Sequence, residues 1–210
     1  MIRAAHCLPA ASRAPGPAPV KLRLPTYAAI LALGLATGVD TRAEVVETVH
    51  YSHYGIRFVH GLPLKAALNA ASPVRREGQV FHAHTGWELR YELRWFEERD
   101  GRCAVTRVTT TLKADILLPL LEPGSTAGWP DWPGYLQALR GHEQGHLEIA
   151  RAAAHLLDRR IAGLPQAISC GMLQAQARQA WREVLEGAGK EDREYDRRTD
   201  YGRTQGAGLP

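Results

Sequence analysis

Gly141-His142-Glu143-Gln144-Gly145-His146-Leu147-Glu148-Ile149-Ala150 decides how this chain is read. It lies in a run from about Trp132 to Ile161 that has helical character, with Leu136, Leu139, Ile149, Leu156 and Leu157 as core contacts and Gly163 and Pro165 as stop signals. At about 100° per residue, His142 and His146 project about 40° apart, one turn above the other. Two imidazoles so placed can grip one zinc ion, and Glu143, about 60° further round, can lean over it without ligating. Zinc lowers the pKa of a water to about 7 and polarises a carbonyl, with a carboxylate at hand to take the proton. The pattern therefore points to metal-dependent peptide hydrolysis. In a chain of this length with nine His, chance supplies it about 0.03 times. Gly141 and Gly145 each cost about 1 kcal/mol relative to Ala in mid-helix, so backbone or substrate is expected close by. His155 falls about half a turn from His146 and reads as a surface or packing residue.

Working outward, 210 residues suit one domain with a real core. Residues 1–43 stand apart from it. Residues 1–20 are rich in Ala and Pro without periodicity and read as an over-extended start. Lys21 and Arg23 then precede an apolar run from Tyr27 to Val39, too short to span a bilayer, and a small-residue site at Thr41-Arg42-Ala43. This reads as an export signal cut after Ala43, leaving residues 44–210 as a single domain in the periplasm or outside the cell. The membrane enters only through that signal. Residues 1–43 hold five basic groups and one acidic group of the chain's 26 Lys+Arg and 22 Asp+Glu, so the remainder balances at zero net charge. The basic pI belongs to the leader, and nothing asks for a nucleic-acid partner. Cys7 leaves with the leader. Cys103 and Cys170 remain as an even pair in an oxidising compartment and are expected to bridge, clamping the sheet to the connection after the motif helix.

Trp87, Leu89, Tyr91, Leu93 and Trp95 alternate with Glu88, Arg90, Glu92 and Arg94, a strict period of two. Asp100-Gly101 supplies a turn, and a return strand runs from Cys103 to about Leu118 with a bulge near Arg107. Residues 44–59 read as one or two strands, Leu62 to Ala71 as a short helix, and Val74 to Gly78 as a polar connection. Pro119, within Ile116–Leu121, suits an edge strand. A second helix is expected from Met172 to about Glu194, weakened by Gly187 and Gly189. His82 and His84, like His50, His53 and His60, read as solvated faces. The sequence thus predicts an α+β fold, an antiparallel sheet with a long hairpin packed against two long helices.

A catalytic zinc takes three protein ligands and keeps one position open. The extended motif with a third His fails at Ala152, a Glu on the following helix would be Glu183 or Glu186, and the tail offers Asp196, Asp200 and Tyr201. The residue types leave the choice open.

The hairpin around Thr85-Gly86-Trp87-Glu88-Leu89-Arg90-Tyr91, Cys103, the leucine-proline strand end at 117–119, the helix segment from His142 to Ala150, Cys170 and the tail from Tyr195 to Ala207 together carry a resemblance. Over about residues 50–209 the chain resembles a bacterial family known as a domain of unknown function and as predicted secreted zinc-dependent proteases, within the His-Glu-x-x-His metallopeptidase clan. The resemblance implies a zincin-like protease holding one zinc ion, with His142 and His146 as ligands, Glu143 as base, and a peptide or protein as substrate. The position before Gly202 is commonly His in that family and is Tyr201 here. Either Tyr201 ligates or stabilises an oxyanion, or Asp196 or Asp200 ligates instead. The rival expectation is a non-catalytic periplasmic zinc-binding or envelope-assembly module.

Overall fold

The computed structural model describes residues 42–124 and 129–209. The export segment at 1–43 lies almost wholly outside the described residues, and the expected cut after Ala43 falls at the second residue of the first strand. The elements in chain order are β1 (Arg42–Ile56), α1 (Leu64–Ala71), β2 (Val74–Arg76), β3 (Gln79–Phe81), β4 (His84–Glu97), β5 (Cys103–Leu121), α2 (Trp132–Ala162) and α3 (Cys170–Thr199), followed by a 3-10 turn at Arg203–Gln205. No helix among the described residues is long and apolar enough to cross a membrane.

The β4–β5 hairpin forms as its alternation demands. Trp87, Leu89, Tyr91 and Leu93 are buried, Glu92 and Arg94 are exposed, and the ladder slips by one residue at Arg94/Trp95, opposite Arg107 and Val105. That slip is the expected bulge.

The sheet is not wholly antiparallel. Its order is β1-β5-β4, and β1 runs parallel to β5, with Arg42 beside Arg107 and Ile56 beside Leu121. A parallel pair needs a long crossover, and here α1, β2, β3 and β4 all lie in it. This α+β fold therefore has a mixed sheet and three helices.

It also corrects the position of Ile116–Leu121, which lies in the central strand rather than at an edge. Pro119 is tolerated because β4 begins at His84, opposite Leu117. Beyond that point β5 has only β1 beside it, so a missing N–H breaks no ladder with β4. The polar connection at Val74–Gly78 is half of a small hairpin, β2 against β3, turned at Glu77 (φ 49°) and Gly78 (φ 78°). Two successive positive φ values give the twist that a two-residue hairpin prefers.

Helix α2 packs on the sheet, chiefly on β5, and α3 runs along α2. The core between them includes Val108, Leu112, Ile116 and Leu118 of β5 and Leu147, Leu157 and Ile161 of α2, each essentially inaccessible. Burying such a side chain contributes about 1.5–3 kcal/mol. Thr110 Oγ1 donates to Asp158 Oδ1 across the β5–α2 interface (3.1 Å), so the buried polar pair is satisfied. Helix α3 continues unbroken through Gly187 and Gly189 because Val184, Ala188 and Gly189 are buried and tertiary packing outweighs propensity. Two indole N–H groups tie it to β4: Trp181 Nε1 donates to Leu89 O (3.1 Å) and Trp87 Nε1 to Asp192 Oδ2 (3.0 Å).

Cys103 and Cys170 are bridged, with Cα atoms 5.0 Å apart. Backbone bonds between Cys103 and Ala167 (2.9 and 2.8 Å) reinforce the same junction, where the α2–α3 connection meets the start of β5. The bridge closes a separation of 67 residues, for which loop entropy gives about 4 kcal/mol. Reduction should therefore lower unfolding stability by about 2–4 kcal/mol, read as a shift of the urea midpoint with and without a phosphine reductant.

Candidate metal centre

Helix α2 delivers His142 and His146 to one face, both nearly buried, with ring centroids 4.9 Å apart. Helix α3 returns over them and inserts Asp196. Its Oδ1 lies 3.0 Å from His146 Nε2 and 3.3 Å from His142 Nε2. The three residues offer donor atoms that all lie within 4.8 Å of one another. A tetrahedral ion with bonds of 2.0–2.1 Å sets its donors about 3.3 Å apart. Two imidazoles and a carboxylate at these spacings fit such an ion.

The other ring nitrogens are also held. His146 Nδ1 lies 3.0 Å from Asp192 Oδ1, and His142 Nδ1 lies 3.0 Å from Gln205 Oε1. An acceptor on Nδ1 fixes the tautomer that leaves Nε2 free to ligate, as metal-binding histidines generally require. Asp192 and Gln205 had no assigned role in the sequence reading. The signal for Asp192 was its spacing: Asp192 and Asp196 are four apart on α3, as His142 and His146 are on α2, so each pair lines one helical face.

Tyr195 closes the site from the side. Its ring stacks on His142 (5.1 Å, 11°) and meets His146 edge-on (5.0 Å, 87°), and Gln205 Nε2 donates to its hydroxyl (3.0 Å). A Cβ at Gly145 would overlap the Tyr195 ring, which accounts for that glycine; nothing crowds Gly141. Past Thr199 the chain reverses through three left-handed residues, Asp200, Tyr201 and Gly202 (φ 48°, 52° and 84°). The reversal seats Gly202 on His142, where a Cβ would come within 3.1 Å of the imidazole Cγ. Asp200 and Tyr201 carry the strain of that conformation, about 1 kcal/mol or more each. The tail thus docks at the site.

Glu143 is buried, and Thr85 Oγ1 donates both to its carboxylate (Oε2, 2.7 Å) and to its carbonyl oxygen (3.1 Å). Burial raises the Glu143 pKa, against the hydrogen bond from Thr85 and the charges of His146 and His142. Burial also works against protonation of His146. The hydrogen bonds to Asp192 and Asp196 and the charges of Asp196 and Glu143 outweigh it and raise the pKa to about 9. Asp196 is the counterpart. Burial pushes its carboxyl up, but the hydrogen bonds and charges of both histidines hold it well below the usual carboxylate range. Asp196 and His146 thus favour each other's charged forms, and a cation held by both would compete with the proton on the imidazole.

These groups line a cleft of about 740 Å³, with the β2–β3 hairpin and the C-terminal segment as further walls. Of the sequence candidates for third ligand, Asp196 joins the two imidazoles. Asp200 caps α3 and pairs with Arg203 (3.4 Å), and Tyr201 lines the cleft, half exposed, with its ring 5.6 Å from Phe81. Glu183 and Glu186 pair on the surface with Arg160 and Lys190. His82 is structural: its nitrogens meet Tyr135 Oη (2.6 Å) and Asn69 Oδ1 (2.8 Å).

Residues 51–202 match the family described as "Bacterial protein of unknown function (DUF922)". The chain belongs to this family. No curated protein and no solved structure matches it significantly. The DUF922 span contains His142, Glu143, His146, Asp192 and Asp196 and ends at Gly202, so Gln205 lies just beyond it.

Burial, with the charge of Lys65, lowers the His82 pKa to about 4 from 6.5. A histidine kept neutral by folding contributes stability that is complete above about pH 6.5 and is lost as pH falls toward 4. The variant His82→Gln should flatten that part of the pH–stability curve, measured as the thermal midpoint from pH 7 to pH 4.

Proposed function

We propose that this DUF922 protein is an exported zinc-dependent peptide hydrolase. The observation that carries the reading is the convergence of His142 Nε2 and His146 Nε2 on one oxygen of Asp196, with both Nδ1 atoms held from behind and Glu143 beside them in an open cleft. His142, His146 and Asp196 would hold the ion, which supplies Lewis acidity to a water and to the substrate carbonyl.

The chain's own groups do the rest. Glu143 takes a proton as water attacks the carbonyl carbon and delivers it to the amine as the C–N bond breaks. Its raised pKa suits a carboxylate that must hold that proton between the two steps. Thr85 keeps the carboxylate aimed. Tyr201, which lines the cleft, would donate its hydroxyl to the developing oxyanion. Tyr195 is committed to His142 and Gln205 and acts as a support. Among the described residues β4 pairs only with β5, so its other edge is free beside the cleft at His84 and Thr85. An extended peptide can add there as a strand. The Cys103–Cys170 bridge supports an oxidising compartment.

Glu143→Gln should keep stoichiometric zinc while hydrolysis of a peptide library falls at least about 100-fold. Unchanged turnover would remove the mechanism. Zinc retention without any cleavage by the native chain would favour the non-catalytic zinc-binding module instead. Gln205→Ala and Asp192→Asn should each weaken zinc about 10–100-fold through the freed imidazole, measured by competition with a chromophoric chelator.

A further inference from the structure

We infer that Arg76 and His84 form an anion subsite beside the metal centre, and that the substrate is a peptide bearing a carboxylate close to the bond it presents there. The inference rests on the proposed peptide substrate and deepens it.

Arg76 ends β2, and its Nη2 lies 2.9 Å from Nε2 and 3.1 Å from Nδ1 of His84, at the start of β4. A guanidinium has no acceptor and cannot give up its proton. It therefore faces a neutral imidazole, whose one lone-pair nitrogen accepts and whose other nitrogen carries N–H. The pair presents only donors. Among the described residues Arg76 pairs with no carboxylate, and His84 is its only hydrogen-bond partner.

The other charges of the cleft are spoken for. Arg203 pairs with Asp200, Lys65 Nζ reaches Leu209 O (3.4 Å), Glu143 accepts from Thr85, and Asp196 lies between the two histidines. Three basic and three acidic side chains line the cleft, so a bound divalent ion tips it to net positive. Arg76 and His84 also line the neighbouring cavity of about 180 Å³, and both cavities reach His146 and Asp196. An acceptor-only group that meets Arg76 therefore sits next to the metal donors. A carboxylate has that chemistry, and guanidinium–carboxylate bonds are among the stronger polar contacts.

The carboxylate could be an acidic side chain or a free C-terminus, and the test separates them. Zinc-loaded Glu143→Gln is titrated calorimetrically with one N-acetylated peptide in four forms, carrying Glu or Gln flanking the central bond and a free or amidated C-terminus. At least one carboxylate form should bind about tenfold or more tightly than the neutral form, and the form that does so identifies the source. Adding Arg76→Gln should erase the difference with zinc content unchanged, and Arg76→Lys should restore part of it. Equal binding of all four forms, a preference that survives Arg76→Gln, or no binding of any form overturns the subsite. Turnover by the native chain is scored separately. Arg76-dependent binding without turnover keeps the subsite and removes the hydrolase. Turnover of all four forms alike, unchanged by Arg76→Gln, does the reverse.

Discussion

One carboxylate oxygen between two imidazole nitrogens organises this molecule. Asp196 can reach His142 and His146 only if α3 runs back along α2 for its full length and stays helical to its last turn. Small residues make the approach close: Ala150, Ala153 and Ala154 on α2 and Ala177 and Ala180 on α3 are buried, and Gly145 admits the Tyr195 ring. The disulfide secures the opposite end. Cys170 is 26 residues before Asp196 on the same helix, about 39 Å away at 1.5 Å per residue. The helix is thus pinned covalently at one end and electrostatically at the other, with indole hydrogen bonds to β4 between.

Much of this was legible in the residues, for identifiable reasons. The alternation in β4 is dictated by one solvated face and one buried face, and the structure follows it from Thr85 to Leu93. Helix α2 stops at Gly163, and Cys170, which follows at the start of α3, bridges back to Cys103 of β5. Periodicity carries no information on strand direction, and β1 is largely exposed, so its parallel pairing with β5 could not be read. The β2–β3 hairpin is only three residues a side, too short for a pattern to emerge.

The site divides along the same line. His142, Glu143 and His146 share one helical turn, so their geometry is local. Asp196 was one of several candidates because choosing it required knowing that α3 survives two glycines, which packing decides and propensity does not. Thr85 and Gln205 approach from distant parts of the chain, and only the tertiary fold gives them their roles.

The parallel ladder has a kinetic consequence. The first strand is separated from its partner by 65 residues, Arg42 beside Arg107, whereas β4 meets β5 through a short turn. Contacts of high sequence separation form late because the intervening loop must be closed first. The intervening segment here contains α1 and the β2–β3 hairpin, which form part of the cleft wall. Assembly is therefore expected to start from the local hairpin and helices and to enclose the cleft last, so that a half-folded chain would carry the histidines without the walls that surround them in the native state.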